Sequence, residues 1–99
     1  MLIHSVFFWL KPELTDVQRA DFRRGLESLR GVRTLQSVYI GTPAAIPPRP
    51  VVDASYSYSL TCLFADLAGH DVYQVDPLHK AFLEQFRSYW TKVQIYDAA

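Results

Sequence analysis

The sequence predicts an α+β fold of the ferredoxin-like type, βαββαβ, with a four-stranded antiparallel sheet and its helices on one face. Three observations predict it. Leu2 to Leu10 and Tyr56 to Phe64 are rich in β-branched and aromatic residues and alternate as strands do. Two other stretches repeat apolar residues at helical spacing behind clear N-terminal caps. The order in which these patterns follow one another is that of the split βαβ arrangement.

The first strand, Leu2 to Leu10, is bounded by Lys11-Pro12. Alternation places His4, Val6, Phe8 and Leu10 on one face and Ile3, Ser5, Phe7 and Trp9 on the other. Both faces are apolar, so both require cover. Thr15 and Gln18 then have capping-box spacing. The first helix runs from there to about Arg30, with Phe22, Leu26 and Leu29 as its buried stripe and Gly31 as its stop. Arg19, Arg23, Arg24, Glu27 and Arg30 form its solvated face.

Thr34 to Gly41 is a second strand. Pro43, Pro47, Pro48 and Pro50 make the following connection long and stiff. In the third strand Tyr58, Leu60, Cys62 and Phe64 share one side. Asp66 to Val75 has room for one or two helical turns. Asp76-Pro77 starts the last helix, with Asp76 as N-cap and Pro77 where its missing N–H costs nothing. His79, Phe82, Leu83, Phe86, Tyr89 and Trp90 recur on one face of it, and Lys92 to Asp97 is a short last strand.

The 99 residues are read as a single domain, 1–99. Near-half hydrophobic content (49%) with zero net charge excludes disorder. Ten Lys plus Arg balanced by ten Asp plus Glu leave no basic field for nucleic acid. No stretch approaches the roughly 20 apolar residues of a membrane helix, and the first ten residues lack the basic start of a signal peptide. A lone cysteine, Cys62, fits a reducing cytoplasmic compartment. Fourteen aromatic residues in so short a chain, with Ile3, Phe7 and Trp9 facing away from the helices, point to a homodimer packed through the open sheet face.

Among residues that can carry chemistry, His79 stands at the third helical position. There the free N–H groups, the helix dipole and burial all disfavour an imidazolium. It is either a core histidine bonded to a backbone group or a neutral base. His4 lies within an apolar strand, and Tyr73 precedes His79 by six residues across the Asp76-Pro77 bend, so its hydroxyl can return to the same spot. Two histidines on facing apolar surfaces need partners or a ligand. His70, between Gly69 and Asp71, reads as a surface turn without a role. His4, His70 and His79 lack close metal-ligand spacing, so no metal is expected, and no haem ligand stands out.

Two motifs, His4-x-Val6-x-Phe8 and Asp76-Pro77-Leu78-His79-Lys80-Ala81-Phe82, resemble those of the stress-responsive dimeric α/β-barrel (Dabb) family, and the likeness spans nearly the whole chain. The resemblance implies a dimeric α+β barrel in which two sheets pack together with the helices outside. In finer detail the chain is similar to the olivetolic acid cyclase branch of that family, whose members close a linear polyketide by an aldol step without metal or organic cofactor. That likeness implies His79 as base with Tyr73 assisting and His4 as a further candidate. It also implies a pocket lined by Val6, Phe8, Phe22, Leu26, Leu60 and Trp90. The first reading is a protein of unassigned reaction that binds a small hydrophobic molecule in that pocket, and the alternative is a cofactor-free cyclase or lyase. Leu26, Arg23 and Asp76 depart from that branch's pattern, so a pocket of different shape and polarity is expected.

Overall fold

The computed structural model describes residues 1–99. Its elements are β1 (Leu2–Leu10), α1 (Asp16–Ser28), β2 (Leu35–Gly41), β3 (Tyr58–Phe64), α2 (Leu67–Val75), α3 (Pro77–Phe86) and β4 (Trp90–Ala98). Single 3₁₀ turns, Leu29–Gly31 and Arg87–Tyr89, prolong α1 and α3. The sheet runs β2-β3-β1-β4 with every pair antiparallel, so β1 is central and β4 is an edge. No helix is long and apolar enough to cross a membrane.

Directly opposed residues share a face of the sheet. His4 is opposite Cys62 and Asp97, Val6 opposite Leu60 and Ile95, and Phe8 opposite Tyr58 and Val93. This is the face the helices cover, and His4, Val6, Phe8, Leu10, Leu60, Cys62 and Phe64 are buried there. Phe22, Leu26 and Leu29 of α1 close the core from above. Phe22 is its hub, with its ring centroid 5.2–5.7 Å from those of Phe8, Tyr58, Phe82 and Phe86. The other face carries Ile3, Ser5, Phe7 and Trp9, with no helix over it, and Tyr39 and Tyr96 stand more than 60% exposed.

Local chemistry sets most element ends. The Thr15 hydroxyl accepts from the Gln18 N–H at 3.1 Å and the Gln18 side chain accepts from the Thr15 N–H at 2.8 Å, closing the capping box. Asp66 caps α2 by accepting from the Gly69 N–H, and Asp76 caps α3 by accepting from the Leu78 N–H. Gly31 differs from the expected helix stop: no residue has a positive φ, and α1 ends by tightening into a 3₁₀ turn. Gly31 instead makes room for Leu78, whose Cδ1 would lie 2.7 Å from an added Cβ.

Gly25 has a similar role where α1 crosses α3. A Cβ there would stand 2.3 Å from Cε2 of the buried Phe86 ring. Gly25→Ala should therefore destabilise the fold by about 1–3 kcal/mol through overpacking, outweighing the roughly 1 kcal/mol that alanine contributes to a helix. A thermal melt lowered by about 5 °C or more, and largely restored by adding Phe86→Leu, is the expected result. An unchanged melting temperature would disprove the close contact.

The last helix and strand divide differently from the sequence expectation. α3 ends at Phe86, so Tyr89 and Trp90 are not on it, and Trp90 opens a strand that is longer than Lys92 to Asp97. The β1–β4 register shifts between Trp9, opposite Lys92, and Leu10, opposite Trp90, which leaves Thr91 as an extra residue. This bulge turns Trp90 to the helix side of the sheet, where strict alternation from Val93 would have put Thr91.

Candidate functional site

A cavity of about 190 Å³ lies between the β1–β4 half of the sheet and the α2–α3 pair. Twelve residues line it: His4, Val6, Phe8, Leu60, Tyr73, Gln74, His79, Phe82, Leu83, Trp90, Val93 and Ile95. Nine of them are hydrophobic, so the three polar groups, His4, Gln74 and His79, set the orientation of anything bound. The cavity opens past Val93 and Ile95, which point to the helix side but remain 39% and 45% exposed because no helix reaches over the β4 edge.

The sequence candidates His4, Tyr73, His79, Val6, Phe8, Leu60 and Trp90 thus share one cavity. Phe22 and Leu26 do not reach it and are fully buried. The reason is geometric: both are enclosed in the core cluster, Phe22 among Phe8, Tyr58, Phe82 and Phe86, so this part of the expected lining belongs to the core. In their place stand Gln74, Leu83, Val93 and Ile95. Leu83 shares the apolar face of His79, whereas Val93 and Ile95 become lining only through pairing of β4 with β1.

His79 sits on the third residue of α3, with its ring centroid 4.5 Å from that of Tyr73. Burial holds its pKa below the ordinary imidazole value, and the neighbouring His4 and His70 act in the same direction. The Gln74 backbone and the Asp76 carboxylate oppose them without reversing the sign. Its Nδ1 is buried and has no hydrogen-bond partner. The side chain is therefore a neutral imidazole with an unused ring nitrogen.

Tyr73 is 1% exposed. Its ring lies against His79, it lines the cavity, and the buried Cys62 thiol is its neighbour. Burial raises both groups, the phenol well above its ordinary value and the Cys62 thiol to about 12, so neither ionises near neutral pH.

His4 and Asp97 form a pair that only the folded chain brings together. His4 Nδ1 lies 2.5 Å from Asp97 Oδ1. An ionised carboxylate only accepts, so the proton is on Nδ1. Asp97 stands 93 residues away, opposite His4 in the β1–β4 ladder, and no local pattern signals it. His70 joins them. It is on α2 rather than in the expected surface turn, and its ring packs 4.9 Å from His4.

Comparisons with known proteins agree with this architecture. A family model described as "Stress responsive A/B Barrel Domain" matches residues 2–99. A search among curated proteins finds no significant match. Among solved structures, the chain is similar to a Dabb family protein with a ferredoxin-like fold from Mesorhizobium loti, at 22% identity and a TM-score of 0.79, over 99% of this chain and 94% of that one. It is similar to a dimeric ferredoxin-like protein of unknown function from Thermobifida fusca, at 17% identity and a TM-score of 0.80, over 99% and 89% of the two chains. A hydroxynitrile lyase from Passiflora edulis, 16% identical, superimposes with a TM-score of 0.80 over 98% and 90%. At these identities the likeness is one of fold.

Proposed function

The chain belongs to the stress-responsive A/B barrel domain (Dabb) family, and on that premise we propose that it is a single-domain homodimer that binds a small, largely apolar molecule in the sheet–helix cavity. The carrying observation is the composition of that cavity: an apolar chamber with His4, Gln74 and His79 converging on it. Its volume exceeds the roughly 150 Å³ of an apolar cavity that holds benzene. It is smaller than the roughly 300–1,000 Å³ of sites for drug-sized ligands. A single ring or short alkyl group bearing one carbonyl fits, and a longer molecule would trail out past Val93.

The dimer reading rests on the open sheet face, where Ile3, Phe7, Trp9 and Tyr96 form an apolar patch of the kind that marks an interaction surface. Three of the similar structures are described as dimeric. The single reduced Cys62 supports a cytoplasmic location.

Acetophenone is a suitable probe. Titrated into isotopically labelled protein, it should shift the resonances of cavity residues with a Kd below about 1 mM, equivalent to about 4 kcal/mol. Val93→Trp, which puts a large ring in the mouth, should weaken binding at least tenfold without lowering the melting temperature. Equal binding by wild type and this variant would defeat the assignment of the cavity.

A second reading is favoured by one observation, the neutral His79 that lines the cavity with the Tyr73 ring against it. In it the protein is a cofactor-free cyclase or lyase resembling olivetolic acid cyclase. His79 takes an acidic proton from a carbonyl substrate, the electron pair moves onto the carbonyl oxygen, and the enolate attacks a second carbonyl carbon. The protonated His79 then returns the proton. Tyr73 assists as a positioning residue, its ring holding the imidazole in place. His4, with its proton directed to Asp97, offers its other nitrogen only as an acceptor.

A further inference from the structure

We propose that His4, His70 and Asp97 form a binding site for one divalent transition-metal ion of the zinc or cobalt type. The three residues come from β1, α2 and β4 and meet only in the folded chain. One ligand atom from each lies within 4.8 Å of the other two. Ligands about 2.0–2.2 Å from a tetrahedral ion stand about 3.3 Å apart, so coordination requires modest adjustment. The His70 side must close slightly and the 2.5 Å His4–Asp97 contact must open. Asp97 is 44% exposed near the end of β4 and is free to make that movement.

The donor set suits such an ion. Two imidazoles and a carboxylate, with the remaining position open, are the ligands of many catalytic zinc sites. The proton on His4 Nδ1 stands between two donor atoms, and a cation that displaces it keeps both satisfied.

His70 supplies an independent observation. Its Nδ1 is buried and has no hydrogen-bond partner, and the nearest carboxylate, Asp71, is 3.9 Å away, beyond hydrogen-bond reach. A buried polar atom without a partner is uncommon. The other nitrogen, Nε2, is held at 3.0 Å by the Gln74 side-chain amide. A metal-bound imidazole usually has its second nitrogen held by such a partner, which fixes the orientation of the ring. With its amide turned so that Oε1 rather than the nitrogen faces an Nε2–H, Gln74 does for His70 what an outer-sphere partner does for a ligand, and the Nδ1 lone pair is left for the ion.

The test is titration of chelator-treated, full-length protein with Zn²⁺ by calorimetry and with Co²⁺ by visible absorption. The expected result is one ion per chain with a Kd of micromolar or tighter, and a Co²⁺ band typical of four or five nitrogen and oxygen ligands. His70→Ala and Asp97→Asn should each weaken binding at least tenfold, while His79→Gln should bind as the wild type does. His70→Gln provides a second variant if alanine disturbs α2, and circular dichroism reports folding in every case. Three results would each overturn the proposal: no binding at 100-fold ion excess over about 1 µM, unchanged affinity in folded His70 and Asp97 variants, or loss of binding in His79→Gln. None of these readouts depends on the small-molecule ligand, so the two proposals succeed or fail separately.

Discussion

On the cyclase or lyase reading, His79→Gln is expected to lower turnover of a small carbonyl substrate by about 10²–10⁴-fold while leaving the melting temperature near that of the wild type. The assay is a panel of short β-keto thioesters and related aldol donors, followed by product analysis. The expectation follows from the position of the imidazole: it borders the cavity, has an unpartnered nitrogen and is held below its ordinary pKa chiefly by burial. Glutamine keeps roughly the shape and polarity but cannot take up a proton at these pH values. The pH profile supplies a second readout. The base works only when neutral, so activity falls as pH drops through the pKa of the folded state. Because that value is lowered, the acid limb of kcat/KM should lie below the ordinary histidine value of about 6.5. A variant with wild-type turnover, or an acid limb above 6.5 in the wild type, would remove His79 from the role of base.

Phe7→Asp should convert the proposed dimer into a folded monomer. Phe7 lies at the middle of β1 on the face without helices, its ring 5.0 Å from Tyr56 and 6.2 Å from Tyr96. In a twofold interface the substitution acts twice, and each uncompensated buried charge costs about 3–5 kcal/mol. The dissociation constant should rise at least about a thousandfold, at about 1.4 kcal/mol per tenfold. Sedimentation equilibrium measures this directly. The cavity lies across the sheet from Phe7, so the monomer should retain a cooperative melt. A variant that stays dimeric at micromolar concentration would move the interface elsewhere.

Much of the fold was legible because its signals are local. Strand alternation in β1 and β3, the Thr15–Gln18 box and the Asp76-Pro77 start each depend on a few neighbouring residues, and each appears where the spacing puts it. The apolar face of His79, Phe82 and Phe86 was equally readable, but its continuation to Trp90 was not. Helical periodicity at Tyr89 and Trp90 survives only by coincidence, since a 3₁₀ turn and then a strand take over there. Among the candidate site residues, those on β1, β3 and α3 could be assigned to a face from alternation or periodicity. The resemblance puts Phe22 and Leu26 in the pocket, yet both are fully buried in the core cluster.

The sequence alone determined which faces are apolar, where the main helices begin and that His4 and His79 lie on buried surfaces, because those properties arise from contacts a few residues apart. The tertiary structure alone decided what those histidines meet. Asp97 reaches His4 through a β1–β4 register set over the whole length of both strands. His70 reaches it through the docking of α2, and Trp90 enters the cavity through a one-residue bulge. Pairing between residues as far apart in sequence as His4 and Asp97, 93 positions, depends on the packing free energy of the entire core, and no short stretch of sequence contains it.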